Sequence, residues 1–154
     1  MLTKNRLYLE DMTVGQVFTS STAQLDESDI VDFARRYDPQ PFHLDSMAAE
    51  ASLFEGLAAS GWQTAAITMR LLVEGGMPVA SGLIGAGAEI TWPKPTRPGD
   101  RLRVATEIID IAPSRSRSDR GIVTVRSETS NQHDCIVQIM TSKLVVMRRP
   151  STEN

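Results

Sequence analysis

The chain has 154 residues, 41% hydrophobic and 23% charged, a composition that excludes an intrinsically disordered chain and suits one globular domain with a full core. Sixteen basic against 19 acidic residues leave a net charge of −3, which argues against nucleic acid as a partner, because phosphate binding wants a basic face. One cysteine, Cys135, and two histidines, His43 and His133, exclude a cysteine-rich zinc site and a disulfide framework. Imidazole chemistry is confined to two positions.

No apolar leader precedes Glu10 and Asp11. The longest aliphatic stretch, Leu144 to Met147, is far below the roughly 20 residues of a membrane-spanning helix. A single cytoplasmic domain over 1–154 is expected, with 149–154 as a flexible tail and no membrane partner.

In chain order, Gln16 to Leu25 suits an opening strand. Asp26 then reads as an N-cap with Asp29 in the box position, and Ile30, Phe33, Ala34 and Tyr37 follow at helical spacing. The helix must stop near Tyr37, because Asp38 precedes a proline and is pushed out of the α region. Pro39 and Pro41 stiffen a loop from Asp38 to His43, and a short helix capped by Asp45 or Ser46 is expected from Met47 to Ala51. Ser60 opens the strongest helix, with Gln63 at capping-box spacing. Trp62, Ala65, Ala66, Met69, Leu72 and Val73 form one apolar face, Ile67 and Leu71 make the other side apolar too, and Gly75-Gly76 ends the helix. A helix buried nearly all round is the expectation.

From Gly82 the period shortens. Gly85–Trp92, Arg101–Ile111, Gly121–Thr129 and Cys135–Met147 are β-branched runs separated by turn signals. Leu102 and Val104 have the opposite parity to Ile109 and Ile111, which points to a bulge or to an element buried on both faces. Long antiparallel strands after a buried helix imply an α+β fold, a sheet wrapped around that helix.

Asp38 and His43 are the first candidates for chemistry. A carboxylate and an imidazole five positions apart in a rigid loop suit acid–base work on one water, although Asp before Pro is also a common helix terminator. Ser60-Gly61 is the second. With the Ser60 side chain on the N3 amide and Gln63 on the N-cap amide, the Gly61 and Trp62 N–H groups are left free at the positive helix end. Glycine lets an acyl carbonyl approach there; a plain helix cap is the alternative. His133, in Asn131-Gln132-His133-Asp134, reads as a solvated turn, and Cys135 as a small buried hydrophobe.

The stretch Tyr37-Asp38-Pro39-Gln40-Pro41-Phe42-His43-Leu44-Asp45, preceded by Phe33-Ala34, resembles the hydratase signature of the MaoC-like dehydratases, the (R)-specific enoyl-CoA hydratases. Leu57-Ala58-Ala59-Ser60-Gly61 is similar to that family's approach to its long helix, and Glu89 to Pro95 with Pro98-Gly99-Asp100 to its next strand and turn. Pro113 to Gly121 resembles one subgroup of uncharacterised members, and the likeness spans about residues 10–148. Gln40 stands where the family usually has Asn, and Ser60 where it commonly has His.

The resemblance implies a hotdog fold, usually dimeric, and reversible hydration of a trans-2-enoyl thioester. It implies that Asp38 and His43 activate the water and that the Gly61 amide stabilises the thioester enolate. Gln40, Phe42, Ser60 and Trp62 would bind substrate, while Lys94, Arg97, Arg115 and Arg117 are candidates for the carrier's phosphates. No metal or redox cofactor is implied, since coenzyme A or acyl carrier protein enters only with the substrate. A homodimer or higher assembly is expected. Two rivals stand: a hotdog thioesterase, which commonly places a carboxylate on or beside the long helix, and a non-catalytic acyl-thioester binding module, in which Asp38 and His43 would lie too far apart to share a water. From Gly61 to Val73 the helix has no Asp or Glu.

Overall fold

A computed structural model of the chain describes residues 5–152. Its core is one helix laid against a curved antiparallel sheet. The opening run is divided into β1 (Val17–Thr19) and β2 (Ala23–Gln24), not one strand. Ser20 interrupts it, because its hydroxyl takes the Val104 N–H at 2.8 Å in place of a backbone carbonyl. The helix α1 (Glu27–Tyr37) begins with the expected Asp26/Asp29 box and stops at Asp38.

Pro41–Leu44 forms a helical turn, α2, where a loop was expected. Pro41 sits at its first position, where a missing N–H costs nothing and the fixed φ favours the helix. The short α3 (Ser46–Glu50) follows, with the Met47 N–H donated to Asp45 Oδ1 at 2.9 Å.

The central helix α4 (Gly61–Leu71) has Ser60 as its N-cap, but not the expected box. Ser60 Oγ accepts the Trp62 N–H at 3.3 Å, and Gln63 turns away to donate to the Asp29 carbonyl of α1 at 2.9 Å. The helix ends in a π-turn, Leu72–Gly76, closed by Gly75 at φ 135°. The expected burial of α4 is also corrected. The buried side carries Gln63, turned to α1, with Thr64, Thr68 and Leu71, whereas Trp62, Ala66 and Met69, and Val73 of the π-turn, are exposed.

Polar side chains can sit under the helix because they satisfy one another. Thr68 Oγ1 donates to the Thr64 carbonyl at 2.9 Å, so Thr129 Oγ1, at 2.6 Å, and Gln138 Nε2, at 3.1 Å, are its donors. Gln138 Oε1 then accepts the Trp92 Nε1–H at 3.0 Å.

The strands β3 (Ile84–Thr91), β4 (Arg101–Pro113), β5 (Arg120–Ser130) and β6 (Ile136–Met147) lie within two residues of the expected runs. All pairs are antiparallel, in the order β1-β4-β5-β6-β3, with β2 also on β4. The parity change in β4 is a bulge: the register against β5 shifts between Ile108 and Asp110, which leaves Ile108 buried and Ile109 exposed. Leu102, Val104 and Ile108 of β4, Val123 and Val125 of β5, and Val146 of β6 meet Leu71 and Leu72 in the core. The chain after β6 is held at Arg149, whose guanidinium reaches both oxygens of Asp11 at 2.7 and 2.8 Å. Among the described residues no helix is long and apolar enough to cross a membrane.

Candidate active site

Three short elements converge at the N-terminus of α4. The stop of α1 supplies Asp38, the turn α2 supplies His43, and the N-cap supplies Ser60. His43 Nε2 lies 3.2 Å from Asp38 Oδ2. The same oxygen accepts the Ser60 hydroxyl at 2.7 Å, and Oδ1 accepts the Gln40 amide at 2.6 Å. His43 is buried, and its Nδ1 is 2.6 Å from the Ala58 carbonyl. A carbonyl only accepts, so Nδ1 carries a hydrogen and Nε2 is the nitrogen turned to Asp38. A hydrogen bond across that contact therefore needs one proton held between the two groups.

Burial pulls the Asp38 carboxyl upward, but hydrogen bonds from Ser60 and Gln40, with the charge of His43, outweigh it and hold the group below the ordinary carboxylate value.

A cavity of about 560 Å³ opens beside this cluster. Gln40, Phe42, His43 and Phe54 line one side, and Gly61, Thr64, Trp92, Lys94, Thr96 and Arg97 are also on its wall. The Trp62 N–H is taken by Ser60, not free as expected, whereas the Gly61 N–H has no hydrogen-bond partner among the described residues. The place of glycine at position 61 has a cause invisible in the sequence. The Trp92 indole packs directly on it, and a Cβ there would lie 2.6 Å from the ring.

The candidate residues are not all brought together. Asp38, Gln40, His43 and Ser60 form one bonded group, and Phe42, Gly61 and Lys94 share the cavity wall with Gln40 and His43. Trp62 is exposed and meets Trp92 edge-on at 5.4 Å, outside the cavity lining. Arg115 and Arg117 lie on the exposed β4–β5 hairpin and take no part in that wall. Arg97 reaches it, but its guanidinium is bonded to the carbonyls of Phe54, Gly56 and Leu57. His133 is exposed in its turn as expected, and Cys135 is half-buried.

Sequence reasoning missed Phe54, Thr64, Trp92, Thr96 and the Ala58 carbonyl. Only Trp92 had a local signal, an aromatic at a strand end before Pro93.

The MaoC-like domain family model matches residues 11–131. A Bacillus subtilis protein, the uncharacterized YdeM, is 37% identical over 142 residues, covering 90% of this chain and 96% of YdeM. The crystal structure of a MaoC-like dehydratase from Rhodospirillum rubrum is 58% identical, with a TM-score of 0.93 over 94% of this chain and 99% of that one. The unliganded (R)-hydratase PhaJ1 of Pseudomonas aeruginosa shares the fold at 23% identity, with a TM-score of 0.75 over 97% and 94% of the two chains. The architecture is the hotdog fold.

Proposed function

The chain belongs to the MaoC-like domain family, and from that premise we propose that it is a hydro-lyase, adding water to a trans-2-enoyl thioester or removing it from a 3-hydroxyacyl thioester. The observation that carries the proposal is the Asp38–His43 contact of 3.2 Å, beside a cavity lined by His43 and Gly61.

In the hydration direction, the thioester oxygen sits at the Gly61 N–H, at the positive end of α4, where enolate charge is stabilised. Asp38 takes a proton from the water as its oxygen bonds to the β-carbon, and Nε2 of His43 delivers the shared proton to the α-carbon. The carboxyl proton left on Asp38 then becomes the shared proton again. The net change is one water added, and the pair returns to its starting state. Ser60 and Gln40 keep the Asp38 oxygens in place, Phe42 borders the acyl group, and Lys94 is the cation for the carrier's phosphates. In this reading no metal or redox cofactor takes part.

The absence of any carboxylate between Gly61 and Leu71 argues against a thioesterase of the hotdog kind, and the close Asp38–His43 contact argues against a purely binding role. The test is to offer short and medium trans-2-enoyl-CoA esters and follow conjugated-thioester absorbance alongside free thiol. Loss of absorbance without thiol is expected. Thiol release would identify a thioesterase, and no change with any ester would overturn the proposal.

We propose further that the working assembly is a homodimer. Trp62 and Met69 of α4 are 61% and 42% exposed, Val73 of the π-turn after it is 64% exposed, and Ile84 of β3 is 48% exposed. β3 pairs only with β6, so its outer edge is open among the described residues. An open edge beside apolar helix residues suits a second copy, whose β3 extends the sheet while the helices cover each other.

A further inference from the structure

The segment between α3 and α4 has no regular structure, yet it carries two groups that touch His43. Its Ala58 carbonyl holds Nδ1, and the Phe54 ring lies 6.0 Å from the imidazole and 5.0 Å from Phe42. The segment is also conformationally costly at Glu55, a non-glycine residue at φ 54°. Backbone bonds hold its ends, from the Gly56 N–H to the Ala49 carbonyl at 3.1 Å, from Ala58 to Phe42 at 3.3 Å and from Ala59 to Thr96 at 2.9 Å, and one side chain gathers the carbonyls between them. Arg97 Nη1 donates to the carbonyls of Gly56, at 2.8 Å, and Leu57, at 3.2 Å, while Nη2 donates to the Phe54 carbonyl. Arg97 is itself fixed, because Asp100 Oδ2 accepts its backbone N–H at 2.9 Å and the Asp100 N–H returns to its carbonyl at 3.1 Å. The fit is close: a Cβ on Gly56 would lie 3.3 Å from Nη1.

We infer that Arg97 is a positioning residue, whose guanidinium clamps the Phe54–Leu57 segment and so holds the Ala58 carbonyl that fixes the His43 ring. The planar fork of Arg spreads fixed N–H groups over several carbonyls, a span that the compact ammonium of Lys does not match. This role differs from the phosphate contact that the sequence suggested for Arg97. The kinetic part of its test rests on the hydratase proposal, and the spectroscopic part does not.

The experiment compares wild type, Arg97→Met and Arg97→Lys, each checked for folding by circular dichroism. Long-range 1H–15N spectra of the imidazoles report His43 directly, since the His133 ring is exposed and exchanges rapidly. Wild type is expected to show a protected Nδ1–H on His43, and both variants to lose it, Lys less completely. With an enoyl-CoA and with the same acyl group on N-acetylcysteamine, kcat is expected to fall about 10- to 100-fold for both carriers, KM staying within a few-fold. A KM rise confined to the CoA ester, with kcat and the Nδ1–H signal intact, would make Arg97 a phosphate ligand and overturn the inference. Unchanged spectra and kinetics would overturn it too. If wild type hydrates neither ester, the hydratase proposal fails and the Nδ1–H signal alone decides. If Arg97→Met does not fold, Arg97→Lys carries the comparison.

Discussion

Asp38 accepts hydrogen bonds from Ser60 and Gln40 and faces His43, so both its oxygens are aimed before any substrate arrives. In the proposed reaction Asp38→Asn would remove the acceptor of the water's proton, and His43→Ala the group that hands a proton to carbon. Each is expected to lower kcat roughly 10²- to 10⁴-fold in the enoyl-CoA assay while the circular dichroism spectrum is kept. The depressed carboxyl also sets a pH dependence. A carboxyl lowered in the folded state contributes stability that is present above its unfolded value and lost as pH falls through the folded one. Ser60→Ala deletes one of the hydrogen bonds that lower it, so the folded value rises. The acid limb of the kcat/KM profile should then move to higher pH, and an unmoved limb would show that Ser60 does not tune Asp38.

At the scale of elements, α4 departs from a simple amphipathic helix: its sheet-facing side is bonded through Thr68, Thr129 and Gln138. Gln138 is fully buried and joins this seam to Trp92, the ring that packs on Gly61. Gln138→Leu removes the acceptor of the partly exposed Trp92 Nε1–H and one of the donors to Thr68 Oγ1. It is expected to cost about 1–3 kcal/mol in urea unfolding, two hydrogen bonds at roughly 0.5–1.5 kcal/mol each. The apolar spacing of Trp62, Ala66, Met69 and Val73 was legible, but not which way that stripe faces. Periodicity identifies a face and leaves the choice between core and partner open, because both bury apolar surface equally well. The caps follow the same logic. Asp26 and Asp29 bond within one turn and were readable, whereas Gln63 had a partner 34 positions away in α1.

For the molecule as a whole, the outward stripe of α4 and the open edge of β3 predict a dimer. Sedimentation equilibrium should give twice the chain mass, and Met69→Glu, which puts a charge in the middle of the stripe, should shift the protein toward monomer. A wild type that remains monomeric at tens of micromolar would rule this assembly out.

The sequence by itself determined the helix-then-strands order, the parity change in β4, the stop at Asp38 and the candidate pair Asp38 and His43. All of these rest on local constraints: proline geometry, period and capping act over a few residues. Tertiary structure decided the rest. It placed Ser60 on Asp38, the Ala58 carbonyl on His43, the Trp92 ring on Gly61 and the Arg97 guanidinium on the Phe54–Leu57 carbonyls. These contacts join residues 15 to 43 positions apart. A type such as Arg or Gly says what a side chain can bond or where a backbone can pass. Only the packed chain says which partner is there.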